Sequence, residues 1–249
     1  SSAFRMDPEV PLVVPEVNPQ AILKHKGIIA NPNCSTIIMV MALKPIYDLA
    51  KIKRVIVSTY QAVSGAGKEG IDELDAQVRE HSEGREMTAN ILPSASAEKH
   101  YPIAFNLIPQ IDVFCDNLYT KEEMKMVNET KKIMEDYEMR ITATTIRVPV
   151  YRSHSESVNI ELEKEVDLGA MREALAKFPG VTVQDDPSKQ EYPMPLYTSE
   201  KDDVYVGRLR RDESCEKSYN MWVVGDQIRK GAALNTLQIA ETMIKNGWI

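Results

Sequence analysis

Residues 31–36 read NPNCST, and the IIMVMALKPIYDLA that follows is apolar at nearly helical spacing. If Asn33 caps that helix, Cys34 lies in its first turn, where unpaired backbone N–H groups and the positive end of the helix dipole favour an anion. A thiolate is such an anion. The ordinary cysteine pKa of about 8.5 can fall by several units at such a place, which gives a nucleophile at neutral pH. The alternative is a small buried hydrophobe, a common fate of free cysteine.

A second stretch with chemical potential is RVPVYRSHSESVNIEL, residues 147–162. Two arginines and a histidine fall between two strand-like runs. His154 has the side chain best suited to moving protons near neutral pH, and Arg147 can hold a carboxylate with two parallel hydrogen bonds. A purely structural histidine is the alternative. His25, His81 and His100 have no comparable setting and read as surface or structural groups.

The third stretch is STYQAVSGAGKEG, residues 58–70, where Gly65, Gly67 and Gly70 spell G-x-G-x-x-G between a strand and a helix. The match to a dinucleotide fingerprint is weak. The strand stops several residues before Gly65, and no second strand ending in an acid follows about 20 residues on. A P-loop fails as well, because Ala62 stands at its first glycine and Glu69 follows Lys68. A flexible loop capping the next helix is the alternative, with Gln61 and Ser64 as mere loop polars.

The elements that must position these residues are legible as periodicity. Helical patterns cover residues 34–50, 70–81, 121–137, 167–177 and 232–246. Strand-like runs are GIIANPN, RVIVSTYQ, AFNLIP, RITATTIRVPV, SVNIELE, VTVQ, VYVGRLRR and YNMWVVGD. Val204, Val206 and Leu209 alternate with Tyr205, Arg208 and Arg210, as expected for a sheet with one covered face. The layout is α+β.

Composition bounds the rest. The 249 residues, 43% of them hydrophobic, with 14 prolines and a net charge of −7, suit one large or two modest globular domains. No apolar run approaches the roughly 20 residues a membrane span needs, and SSAFRMDPEV does not open like a signal peptide, so a cytoplasmic location is expected. The acidic balance argues against a nucleic-acid binder. Three widely spaced cysteines without CxxC suggest neither a disulfide framework nor a metal site.

Taken in order, NPNCST, STYQAVSGAGKEG, EEMK and RVPVYRSHSE, with SSAFRM at the start and KGAALNTLQIAE near the end, resemble the aspartate-β-semialdehyde dehydrogenase family over nearly the whole chain. The resemblance implies that Cys34 is the nucleophile, that Gln61 orients the reacting group and that His154 is the general acid/base. It implies that Arg147 binds the substrate α-carboxylate and Glu122 its amino group, while Arg5 and Lys125 hold phosphate. Asn33 counts with the substrate-binding residues. Ser64, Gly65 and Asn235 lie where the family approaches the nicotinamide end of NADP.

The implied reaction is the NADPH-dependent reductive dephosphorylation of β-aspartyl phosphate, a step towards lysine, threonine and methionine. The implied fold is a mixed, largely antiparallel sheet covered by helices on one face, with the other face used in a homodimer or, alternatively, a tetramer. Family members also begin with a nucleotide-binding βαβ unit that this sequence lacks. Residues 1–33 are therefore expected to be the end of that unit, 34–230 the catalytic and dimerisation domain, and 231–249 a C-terminal helix that packs on the unit. On this expectation the chain is a truncated form that binds NADP weakly or not at all and is inactive alone. The alternative is a non-catalytic dimerisation module or one piece of a split enzyme. Weak order is expected at both ends, with an uncovered stripe of Leu234, Leu237, Ile239, Ala240 and Ile244.

Overall fold

A six-stranded sheet organises residues 2–248, the part of the chain described by the computed structural model. Its strands are β1 (Ile52–Gln61), β2 (Arg140–Arg147), β3 (His154–Leu162), β4 (Val181–Val183), β5 (Val204–Arg211) and β6 (Ser218–Gly225). They lie in the order β2-β1-β3-β6-β5-β4. The pairs β1/β2 and β4/β5 are parallel, and the other three are antiparallel. The sheet is mixed and the class is α+β.

One face is apolar because alternate residues point to it. Val55 and Val57 of β1, Val158 and Ile160 of β3, and Met221 and Val223 of β6 are buried on that side. The other face carries Tyr60 against Trp222, with ring centroids 5.6 Å apart, and Asn159 bonded to Asn220. In β5 a register shift between Gly207 and Arg210, with Arg208 at φ 54°, lets Val206 and Leu209 share the core face although they are three residues apart.

Helix α1 (Cys34–Leu49) joins the core to the site. It is apolar nearly all round, so it is buried nearly all round, and Ile37 through Leu43 are at most 1% exposed. Each such side chain contributes about 1.5–3 kcal/mol by leaving water. The remaining helices are α2 (Lys68–Ser82), α3 (Lys121–Met134), α4 (Leu168–Lys177), the single turn α5 (Pro195–Thr198) and α6 (Leu234–Lys245). A capping box of Thr120 and Glu123 starts α3, and Glu135 in the left-handed region at φ 52° ends it, three residues before the expected boundary.

Two expected strands are not strands. GIIANPN contributes only the bridge of Ala30 to Leu12, and AFNLIP only that of Ile108 to Arg147. Each run buries an anchor, Ala30 or Ile108, while Ile28, Phe105 and Leu107 stay exposed, a loop pattern that periodicity does not distinguish from pairing. RITATTIRVPV stops pairing in β2 at Arg147, ahead of Pro149. Helix α6 begins at Leu234, later than expected, because the π-helical turn Arg229–Ala233 precedes it.

The proline-rich start, expected to be weakly ordered, is packed. Leu12, Val13 and Val14 are at most 1% exposed, and Val13, Ala21 and Ile22 cluster with Ile239 of α6. The expected uncovered stripe of α6 holds only in part: Leu237 and Ile244 are more than half exposed, but Ile239 is buried against the start of the chain.

Candidate active site

Asn33 caps α1 as its sequence position suggests, its Oδ1 accepting from the Thr36 backbone N–H at 3.2 Å. What locks it is α3, where Glu122, Lys125 and Glu129 fall on one face at i, i+3 and i+7. The Asn33 backbone N–H donates to Glu129 Oε2 at 2.6 Å, and its side-chain amide donates to Glu122 Oε1 at 2.9 Å. Glu122 Oε1 also accepts from Gln61 Nε2 at 3.2 Å. Its other oxygen faces Lys125 Nζ at 3.2 Å.

Cys34 then lies in the first turn of α1, with Sγ 3.5 Å from Nε2 of His154, the first residue of β3. Arg147 ends β2 beside them, fully enclosed, and its Nη1 donates to the Ala62 carbonyl at 2.7 Å. Its Nε has no partner among the described residues. Gly65 packs so tightly here that a Cβ would sit 2.6 Å from Arg147 Nη1 and 3.2 Å from His154 Cε1. Gly231, in the π-helical turn, approaches Cys34 in the same way, with a would-be Cβ 3.0 Å from the Cys34 Cβ.

The electrostatics correct one expectation. The helix start was expected to lower the Cys34 thiol, but burial pushes it up to about 12, and the Glu122 carboxylate adds to that. The Ser35 backbone N–H and Arg147 pull the other way and are outweighed. Burial first, and then Arg147, hold the His154 imidazole well below 6.5 and so neutral. Burial lowers Arg147 too, against Glu122. For Lys125 burial is overcome by Glu122 and Asp112, which raise its pKa.

Arg5 and Lys125 line one open cleft together with Lys121, Asn128 and Glu129. Neither cation is free of protein partners. Arg5 meets Glu129 at 3.2 Å and the Asn31 carbonyl at 2.9 Å, while Lys125 meets Asp112 at 2.9 Å. Ser64 accepts from Gln227, whose Oε1 takes the Ser153 backbone N–H at 2.9 Å. Asn235 stands apart from this group. Its amide oxygen accepts from the buried Lys230, and its nitrogen donates to Val13 O at 3.0 Å and Asn31 Oδ1 at 2.7 Å, so it offers a ligand no spare donor.

Sequence reasoning missed Glu129, Asp112, Gln227 and Gly231. Glu129 was within reach through its helical spacing from Glu122. Asp112 and Gln227 come from loops and Gly231 from the π-helical turn, all brought to the site only by the fold. Among the described residues no cluster of three or more His, Cys, Asp or Glu is placed to hold a metal ion, and no helix is long and apolar enough to cross a membrane.

Comparison with known proteins agrees with this arrangement. Residues 43–230 match the family described as semialdehyde dehydrogenase, dimerisation domain. The aspartate-semialdehyde dehydrogenase of Aquifex aeolicus is 56% identical over 251 residues, covering 100% of this chain and 72% of that protein. The Bacillus subtilis protein of the same name is 52% identical over 246 residues, covering 98% of this chain and 71% of its own. Among solved structures, aspartate semialdehyde dehydrogenase II of Vibrio cholerae, in complex with ASA, superposes with a TM-score of 0.92 at 46% identity, covering 98% of this chain and 70% of that one. On its sequence, its fold and its relatives, this chain belongs to the aspartate-semialdehyde dehydrogenase family.

Proposed function

We propose that Cys34 and His154 form the reacting centre for the NADPH-dependent conversion of β-aspartyl phosphate to aspartate semialdehyde. The observation that carries this reading is the 3.5 Å approach of Cys34 Sγ to His154 Nε2, inside a pocket that also holds Arg147 and Glu122. The substrate has a carboxylate and an ammonium at one end and a phosphate at the other. Arg147, with an unpartnered Nε, suits the carboxylate, and Glu122 suits the ammonium. Arg5 and Lys125, on their shared cleft, suit the phosphate.

In this reading Cys34, once ionised, attacks the acyl carbon, the C–O bond to phosphate breaks, and a thioester remains on sulfur. The Ser35 backbone N–H, which bears on the Cys34 sulfur, is the donor best placed to meet the carbonyl oxygen, while Gln61, whose amide already donates to Thr59 and Glu122, holds Glu122 in place. One such preorganised donor stabilises an oxyanion by about 3 kcal/mol. The nicotinamide of NADPH, when bound, supplies the hydride that reduces the thioester carbonyl. Gly65 packs directly on Arg147 and His154, and the lack of a side chain there keeps its backbone close to the reacting centre that the nicotinamide would have to approach. Ser64 lies beside it, and the committed amide of Asn235 leaves that residue a supporting part only. Collapse of the thiohemiacetal then breaks the C–S bond and returns Cys34.

A homodimer is the proposed assembly, joined through the sheet face that carries Tyr60, Asn159, Asn220 and Trp222. The matched family is itself named for dimerisation.

The test is phosphate-dependent NADP reduction with aspartate semialdehyde, beside a Cys34→Ser control. Whatever turnover the unaltered chain shows should be abolished in the variant. Acylation by β-aspartyl phosphate, read by mass spectrometry, covers the first half-reaction separately. An acyl group found elsewhere than on Cys34 would overturn the reading.

A further inference from the structure

Lys125 stands between two carboxylates and an open cleft. Its Nζ donates to Glu122 Oε2 at 3.2 Å and to Asp112 Oδ2 at 2.9 Å, and its side chain lines the cleft with Arg5, Lys121 and Asn128. Asp112 is arranged to offer that second contact. Its backbone is left-handed at φ 68°, its Oδ1 is taken by the Val113 N–H at 2.8 Å, and Oδ2 is left for Lys125.

Glu122 is the more constrained of the two acids. Only 6% of its side chain is exposed, and its Oε1 already accepts from Asn33 Nδ2 at 2.9 Å and Gln61 Nε2 at 3.2 Å. With both lone pairs of Oε1 engaged, a ligand ammonium that pairs with Glu122 must come to Oε2, the oxygen that Lys125 uses. Two ammonium groups held on one enclosed oxygen repel each other strongly, because little water is there to screen them. Glu122 is fastened to the helix cap and cannot follow either of them. Lys125 can yield, since 29% of its side chain is exposed on the cleft and Asp112 remains as its counter-charge.

We propose that the substrate ammonium displaces Lys125 from Glu122 and so releases it to the phosphate, making the two ends of the substrate bind cooperatively, with Asp112 as the positioning residue that holds Lys125 at the cleft. This rests on the reading of Glu122 as the ammonium site and of Arg5 and Lys125 as the phosphate site. The coupling is reciprocal: phosphate that draws Lys125 away opens Oε2 to the ammonium. An acyl phosphate without an α-amino group leaves Lys125 on Glu122 and loses grip at both ends. Selection for the amino-acid skeleton therefore exceeds what one ion pair supplies.

The experiment is a phosphorus NMR titration of the full chain with inorganic phosphate, in the presence of L-α-aminobutyrate, of butyrate, or of neither. L-α-Aminobutyrate has the carboxylate and the ammonium but no reacting carbonyl, so Cys34 takes no part, and butyrate lacks only the amino group. The expected result is phosphate binding tightened about fivefold or more by L-α-aminobutyrate and less than about twofold by butyrate. Equal phosphate affinity in all three conditions, with L-α-aminobutyrate shown by calorimetry to bind, overturns the inference alone. No calorimetric binding of L-α-aminobutyrate, or binding that Glu122→Gln does not weaken, refutes the substrate-site reading and the inference with it.

Two variants identify the carrier, while the comparison of ligands stands without them. In Lys125→Gln the tightening should shrink to less than about twofold. Its persistence there would mean that the ammonium acts on phosphate directly through space, which overturns the exchange. In Asp112→Asn, Lys125 has no anion but Glu122, so L-α-aminobutyrate alone should bind about threefold or more weaker, and added phosphate should restore most of the loss. Weakening that phosphate does not restore would make Asp112 merely structural and overturn its assigned part.

Discussion

Glu122 Oε1 lies 2.9 Å from Asn33 Nδ2, so the acid that opposes ionisation of Cys34 is fastened to the residue that caps the Cys34 helix. The contact makes the Cys34 thiol sensitive to what occupies Glu122. A substrate ammonium there would neutralise the carboxylate and ease loss of the thiol proton.

Glu122→Gln tests that coupling. The negative charge raises the thiol pKa, so its removal lowers it, and alkylation of Cys34 at about pH 8 should speed up by roughly threefold or more. At the same time KM for aspartate semialdehyde should rise, because the amino group loses its counter-charge. Alkylation that is slower than in the unaltered chain would contradict this electrostatic account.

Gly65→Ala introduces a methyl 2.6 Å from Arg147 Nη1 and 3.2 Å from His154 Cε1. The guanidinium and the ring must move, and a displacement of about 1 Å in a positioned group costs on the order of 10²-fold in rate. The fold should lose far less, about 1–3 kcal/mol, since the strain is local. Steady-state kinetics and urea unfolding separate the two effects.

Glu156 is buried in β3 with neither carboxylate oxygen partnered among the described residues. Burial, and then Glu122, hold its pKa well above 4.5, so in the folded chain it keeps its proton. The unfolded chain releases that proton above its ordinary pKa and then binds fewer protons than the folded one. Stability therefore falls as pH rises from there towards the folded value. Glu156→Gln removes this slope. Thermal melts should show the variant gaining on the unaltered chain at about pH 8 relative to about pH 5. An unchanged pH slope would mean that Glu156 finds a charge partner.

Lys230, 1% exposed, gives its ammonium to Glu16, Asn235 and Gln238, and so ties the proline-rich start to α6 and to the turn that holds Gly231 against Cys34. Lys230→Met leaves three acceptors, the buried Asn235 and the part-buried Glu16 and Gln238, without this donor. A loss of about 3–5 kcal/mol is expected in urea unfolding. Double replacement with Glu16→Gln should recover part of it, since the uncompensated charge is gone.

Local chemistry carried much of this protein. NPNCST declared a capped helix with Cys34 in its first turn, because a cap and an apolar period are readable within a few residues. The β1, β3, β5 and β6 strands were legible from alternation, and α3 from its period. The family resemblance, carried by motifs spread along the chain, named the residues that the pocket gathers: Cys34, His154, Arg147, Glu122 and Gln61.

Tertiary structure decided what depends on distance through space. The apolar runs of GIIANPN and AFNLIP form loops that bury Ala30 and Ile108 and leave Ile28, Phe105 and Leu107 exposed, since an apolar run alone does not specify a ladder. The Cys34 thiol is raised and not lowered, because desolvation and a glutamate 88 positions further along outweigh the helix start. His154 Nδ1 accepts from the main-chain N–H of Ala62, whose side-chain type is immaterial to that bond. Periodicity and capping are encoded in neighbours along the chain, whereas a pKa, a main-chain contact to a histidine and a close approach at glycine are encoded in neighbours that only folding supplies.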